Sequence, residues 1–385
     1  TTQTLNEDTI QVFSSANSNL ISVADVDNTS LTVTLTATNG TISLNGITGL
    51  TFTNGDGSSD GTMTFSGTST NINNALNGLS YTPSANYNGS ATIQVQASDG
   101  SLTDTKTVNL SITAVNDAPV NTVPTAQTVN EDTNLVFNSS NGNLISVNDV
   151  DNANVTVTLT STNGALSLSG TTGLTFTAGD GTSDATMTFS GTQSAINTAL
   201  NGLTYAPNAN YNGSASIQIQ TTDGNLTDTD TVNITVNAVN DAPVNTVPSA
   251  QTVNEDTNLV FNSSNGNLIS VNDVDNTNVT VTLTSTNGVL SLSGVTGLTF
   301  TTGDGTSDAT MTFSGTQSAI NTALNGLTYA PNANYNGSAS IQIQTTDGSL
   351  TDTDTVNITV NAVNDAPVNT VPSAQTINED TNLVF

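Results

Sequence analysis

NVTVTLTSTNGALSLSG, Asn154–Gly170, is the stretch that decides how the chain folds. Val155, Val157 and Leu159 alternate with Thr156, Thr158 and Thr160. A period of two puts the aliphatic side chains on one face of an extended strand and the hydroxyls on the other. The alternation stops at Asn163–Gly164 and resumes through Leu166 and Leu168. Asn-Gly between alternating runs is a strong hairpin signal, because both residues tolerate the positive φ of a tight turn. The stretch predicts two paired strands joined at Asn163–Gly164.

The same pattern extends outward. GLTFTAGDGTSDATMTF carries Leu174 and Phe176, a polar loop, then Met187 and Phe189, which predicts a second hairpin. SASIQIQTTDGNLTDTDTVNITVNAV carries Ile217 and Ile219, a turn at Asp223–Gly224, then Val232, Ile234 and Val236, a third hairpin. Between them, SAINTALNGL spaces Ile196, Leu200 and Leu203 as one face of a short helix. NLVFN and LISVND, upstream, read as strands. Seven or eight short strands and one helical turn in roughly 120 residues predict a β-sandwich with Greek-key connections.

The pattern recurs. NEDT begins at Asn6, Asn130, Asn254 and Asn378, always 124 residues apart, and AVNDAPVNTVP begins at Ala114, Ala238 and Ala362. The stretches Pro119–Ala242 and Pro243–Ala366 differ at six positions, each a small residue for a small one. A solenoid unit spans roughly 20–50 residues, so a period this long is a whole domain. The expected division is 1–117, 118–241 and 242–365 as three repeats, the first incomplete, with 366–385 opening a fourth. Near-identical copies serve length or multivalency, because a single active site needs no duplicates.

Composition narrows the function. Hydrophobic residues are 34% and aromatics 4%, with no Trp, which suits thin cores between sheets. The chain has 31 acidic residues against one basic residue, Lys106, and a formal net charge of −30. Nucleic acid and anionic membrane surfaces would be repelled, since both are held by Lys and Arg. No apolar run is long enough to insert in a membrane, and no signal peptide is visible. With no Cys and no His, thiolate and imidazole metal sites are excluded, as are most nucleophile–base pairs. An enzyme is not expected.

The second repeat carries Glu131, Asp132, Asp149, Asp151, Asp180, Asp184, Asp223, Asp228, Asp230 and Asp241, nearly all in expected loops or strand ends. Carboxylates clustered beside Asn and Gly suit a hard, oxygen-seeking cation such as Ca²⁺, which takes roughly 6–8 oxygens. A plain boundary turn, in which Asn-Asp opens the turn, Pro fixes φ and the acids face water, is the competing reading of the connector. The Asp180/Asp184 pair reads as an Asp-Gly turn, with a private calcium loop as its alternative.

The order of NDAPV, the NEDT glutamate, the VNDVDN acid pair and TTDG resembles a cadherin repeat. The whole period is similar to the bacterial cadherin-like repeats of giant secreted adhesins and surface fibres. The resemblance implies an all-β chain of cadherin/immunoglobulin-like Greek-key sandwiches set end to end, each with one short helical turn, secreted to the cell surface. It also implies a Ca²⁺ cluster at each junction. The first would use Glu7, Asn116, Asp117, Asp149, Asp151 and Asp223. The second would use Glu131, Asn240, Asp241, Asp273, Asp275 and Asp347, and the third Glu255, Asn364 and Asp365. The family's Asp-Arg-Glu triplet is replaced by APNANYNG, which points to one or two ions per junction; Asp8 and Asp132 could compensate or be solvated. The implied partners are calcium ions, the adjacent repeats and other copies of the chain in a fibre. The resulting expectation is a calcium-stiffened structural extender. The alternative is a repeated low-affinity module for glycan, ice or homophilic adhesion, working through the Thr faces or the Asp180–Asp184 loop.

Overall fold

The computed structural model describes residues 2–385. By internal contacts the chain divides into two compact units, Thr1–Asn237 and Ala238–Phe385. Three separate apolar cores lie along it, one per sequence repeat. Residues 362–385 carry no strand and are exposed.

The second repeat shows how each core is built. Its large sheet runs, in hydrogen-bonded order, Gln127–Asn130, Thr227–Asn237, Gly213–Thr222, Asn154–Thr162, Thr186–Thr192 and Leu174–Ala178. Only the first pair is parallel. A second sheet of three antiparallel strands, Leu135–Phe137, Leu203–Pro207 and Gly164–Ser167, contributes Phe137, Tyr205 and Leu166 to the same core. Val157, Leu159, Phe189, Ile217 and Ile219 of the large sheet are fully buried in it. Each such side chain, fully buried, contributes about 1.5–3 kcal/mol. The alternating Thr156, Thr158 and Thr160 stay half-buried on the other face, where Thr158 and Thr188 join their hydroxyls at 3.0 Å.

The helix occupies Gln193–Leu200. Thr192 caps it by accepting from the Ala195 N–H, and Ile196 and Leu200 face the core. Leu203 already belongs to the next strand. The hairpins expected at 174–189 and at Asp223–Gly224 form as paired strands. NLVFN and LISVND supply the strands Leu135–Phe137 and Ser146–Asn148.

Two expectations fail. The repeat has eleven strands, because Pro and turn residues cut its N-terminal portion into three- and four-residue pieces. And Asn163–Gly164 is not a hairpin turn. Asn154–Thr162 pairs within the large sheet, whereas Gly164–Ser167 pairs with Leu203–Pro207 in the small one. The chain crosses the sandwich at Asn163, whose φ is 56°. The Tyr205 hydroxyl is placed to donate to the carbonyls of Thr162 and Asn163, 3.0 Å from each. A Cβ on Gly164 would stand 2.5 Å from the Tyr205 ring and from the Ala206 carbonyl, so only Gly lets this ring lie under the crossing. Alternation fixes which face is buried and leaves the pairing partner open.

Candidate functional site

The connector Ala114–Pro124 leaves the strand Thr103–Thr113 and leads into the second repeat. It is gripped from both sides by carboxylates. From the first repeat, Glu7 is 3% exposed and its Oε1 accepts from the Val115 N–H at 2.6 Å. From the second, Asp151 Oδ2 accepts from the Asp117 N–H at 2.7 Å, and Asp223 Oδ2 accepts from the Asn116 amide at 2.6 Å. Asn152 donates its amide to Asn116 Oδ1 at 2.9 Å.

Local chemistry fixes these groups. Asp149 Oδ1 accepts from the N–H groups of Asp151 and Asn152, closing an Asx turn that aims the loop at the connector. Gln193, the first residue of the helix, ties the loop down by donating to the carbonyls of Asp149 and Asn152 at 2.7 and 2.6 Å. Asp223 Oδ1 accepts from the N–H groups of Asn225 and Leu226 in the hairpin turn. The Leu226 bond first, then the Asn116 amide, holds the Asp223 carboxyl below its ordinary range.

Asp117 behaves in the opposite way. Its carboxyl is raised above the ordinary range, first by desolvation and then by the charges of Asp151, Asp8, Glu7 and Asp149. One carboxyl thus feels four others from both repeats. Glu7 Oε2 and Asp149 Oδ2 are buried without a hydrogen-bond partner. A buried oxygen left so costs about 1–3 kcal/mol or more when charged.

The expected residues of the first junction therefore come together. Two that sequence reasoning passed over, or left undecided, join them. The Asn86 N–H donates to Asp8 Oδ1 at 3.0 Å. With its amide nitrogen turned toward the carboxylates, Asn86 also reaches Asp8 Oδ2 at 3.2 Å and Asp117 Oδ2 at 3.3 Å. Asn86 lies in the ANYNG segment, the counterpart of the missing Asp-Arg-Glu triplet, and the recurrence of ANYNG in every repeat was the signal that could have found it.

The second unit repeats half of this construction. The Asp241 N–H donates to Asp275 Oδ2 at 2.7 Å, the Asn240 amide to Asp347 Oδ2 at 2.5 Å, and Asp273 Oδ1 accepts from Asp275 and Asn276. Glu131, in the first unit, is buried and its Oε2 accepts from the Asn212 amide at 3.4 Å. Glu255 is buried and accepts from the Val363 N–H at 2.6 Å, while Asn364 and Asp365 are exposed beyond it.

Oxygen donors only, with two orphaned buried carboxylate oxygens, fit a hard cation. Among the described residues no group of three or more acidic side chains already stands in metal-holding geometry. The Asp180–Asp184 loop is closed on itself, since Asp184 Oδ2 accepts from the N–H groups of Asp180 and Gly181 and Asp180 Oδ1 from that of Thr182. No helix among the described residues is long and apolar enough to cross a membrane.

Residues 55–111 match the model of a family described as bacterial Ig domain. A search of curated proteins finds no match. Among solved structures, the endo-fucoidan hydrolase MfFcnA4 of glycoside hydrolase family 107 overlaps 84% of this chain and 39% of its own, at 17% identity and a TM-score of 0.22. The chain thus spans well under half of that protein. The extracellular cadherin domains 1–5 of protocadherin Gamma B2 overlap 86% of this chain and 54% of their own, at 14% identity and a TM-score of 0.29. The I-band fragment I67–I69 from titin overlaps 94% and 96%, at 9% identity and a TM-score of 0.25.

Proposed function

We propose that this chain, whose sequence repeats every 124 residues and whose residues 55–111 match a bacterial Ig domain, is a tandem array of bacterial immunoglobulin-like, cadherin-like repeats and serves as an extracellular extender whose joints are set by calcium. Bacterial domains of this kind are typically extracellular or surface-exposed. The single observation that carries the calcium reading is the first joint. Glu7 and Asp8 from one repeat and Asp149 and Asp151 from the next act on the Asp117 carboxyl of the connector, and no cationic side chain is among the groups that shift it.

Two charges about 4 Å apart repel by up to ~4 kcal/mol at an effective dielectric near 20. A divalent ion would turn that repulsion into shared coordination. Glu7 Oε2, Asp149 Oδ2, the carboxylates of Asp117, Asp151 and Asp223, and the side-chain oxygen of Asn116 are the groups that would hold it. Drawing them in would lock the connector to both neighbours. Identical connectors then give identical joints, and repetition gives reach. Extracellular calcium modules bind at about 10⁻⁴–10⁻³ M, the range of calcium outside cells.

Melting with and without chelator tests this reading. At ten- to hundredfold excess over Kd, each joint should gain about 1.4–2.7 kcal/mol from calcium, read as a higher Tm. Glu7→Gln combined with Asp149→Asn should remove the first joint's share. Identical melting curves in calcium and in chelator, with identical small-angle scattering, would overturn it.

A further inference from the structure

In the second repeat the large sheet buries one face in the core and turns the other to solvent. On the strand Thr227–Asn237, Thr229, Thr231 and Asn233 are exposed, while Val232 and Ile234 are buried. On its neighbour Gly213–Thr222, Gln218 and Gln220 are exposed, flanked by buried Ile217, Ile219 and Thr221. Across all six strands the outward side chains are Thr, Ser, Asn and Gln, with Ala178 at the bulged edge. The first and third repeats carry the same kind of face, with Gln94 and Gln342 in the place of Gln218, each opposite a Thr on the next strand.

The acids avoid this face. The chain has 31 acidic residues, and among the described residues none lies on it in any of the three repeats. Asp228 and Asp230 do sit in the sheet, but opposite Thr221 and Ile219, on the core's side of the strand. Lys106 stands on that side as well, opposite Val95. Strand propensity accounts for the Thr. It does not account for the missing charge, because a face that only meets water ordinarily mixes charged residues of both signs among its hydroxyls.

We propose that this neutral face is a self-association surface, and that its occupant is the same face of a second copy of the chain. Charge is the first reason. With a net charge of −30, copies repel through surfaces that carry carboxylates, and here they meet without that cost. Chemistry is the second. A carboxylate only accepts hydrogen bonds, whereas hydroxyls and carboxamides both donate and accept, so the face is complementary to itself. Bonds across strands already order it: the hydroxyls of Thr158 and Thr188 lie 3.0 Å apart, and those of Thr162 and Ser216 3.1 Å. Size is the third. Six strands about 4.8 Å apart, averaging about eight residues at ~3.3 Å each, give a face of roughly 750 Å² per repeat, close to the ~800 Å² that one partner brings to a standard interface. Pairing of a face with its own copy is isologous.

The test is sedimentation and light scattering of the 385-residue chain, in chelator so that the calcium joints do not decide the result. Mass should rise with concentration. It should rise more steeply in salt, since taking ionic strength from about 0.01 to about 0.15 M shortens the Debye length from about 30 to about 8 Å and screens the acids on the rest of the surface. Gln94→Glu, Gln218→Glu and Gln342→Glu together keep the side-chain shape at exposed positions and set like charges face to face. They should lower the association constant about tenfold or more. Ala16→Glu, Ser140→Glu and Ser264→Glu add the same charge at exposed positions off the face and should leave association nearly as in wild type. A mass independent of concentration overturns the proposal, and retention of that monomer on a neutral polysaccharide matrix would assign the face to a glycan instead. Association weakened by salt, or lost equally in both triple variants, overturns it as well.

Discussion

The sandwich core of the second repeat and the joint at its N-terminal end obey opposite rules. In the core, Val157, Leu159, Phe189, Ile217 and Tyr205 are fully buried, and the one hydroxyl among them is spent on two carbonyls. In the joint, Glu7 and Asp149 are nearly as buried, yet each leaves a carboxylate oxygen without a partner. The core is finished by folding, whereas the joint is short of positive charge. The bead should therefore be insensitive to ions and sensitive to volume, and the joint the reverse.

Removing volume from the core should have the largest effect. Phe189→Ala empties a fully buried site packed 5.5 Å from the Phe176 ring, and should cost about 3–5 kcal/mol. Urea unfolding with and without calcium reads the contrast: the loss should be the same in both, because Phe189 lies away from the carboxylates. Adding one carbon at Gly164 comes next. Gly164→Ala puts a Cβ against the Tyr205 ring and the Ala206 carbonyl, and overpacking of this kind costs about 1–3 kcal/mol. A neutral result would mean that the crossing relaxes easily and that Tyr205 does not hold it.

Tyr205→Phe sharpens the same point. It leaves two carbonyls without their donor and should cost about 1 kcal/mol. It also changes the alkaline limb of stability. Burial first, then Tyr211, pushes the Tyr205 phenol up to about 12, and Tyr81 and Tyr329 are raised alike. The folded state thus keeps a proton that the unfolded chain gives up near pH ~10. Stability from this group is complete below the unfolded value and is lost as pH rises through about 12. Three of the six tyrosines should show tyrosinate absorbance only near pH 12. Early ionisation of all six would mean that the corner is open.

Much of the bead was readable from residue order, and the reason is local. Alternation at Asn154–Thr162 and the Ile196/Leu200 spacing depend on the next few residues only. The Asn163–Gly164 crossing was not readable, since its cause is Tyr205, 42 residues on. The joint divides in the same way. Glu7, Asp117, Asp149 and Asp151 could be read as a set because their order along the sequence resembles that of a cadherin repeat. Asn86 could not, because amides stand where that repeat has charged side chains, and because Asp8 draws it in from 78 residues away.

The smallest effect is the most specific to the joint. Asp117→Asn replaces the carboxyl whose ionisation is opposed by desolvation and by Asp151, Asp8, Glu7 and Asp149. A folded-state value raised above the unfolded one means stability that is full at low pH and declines as pH rises through the folded value. In chelator, wild-type stability should therefore carry a small downward step just above the ordinary carboxylate range. Asp117→Asn should flatten that step while leaving the main-chain bond from residue 117 to Asp151 in place. The gain near neutral pH should be small, because solvent screens the charges around an exposed carboxyl. In calcium the sign should reverse, since the variant removes an anionic oxygen from the cluster. If Asp117→Asn stabilises equally in calcium and in chelator, the carboxyl is merely an unwelcome charge and the joint has no use for a cation.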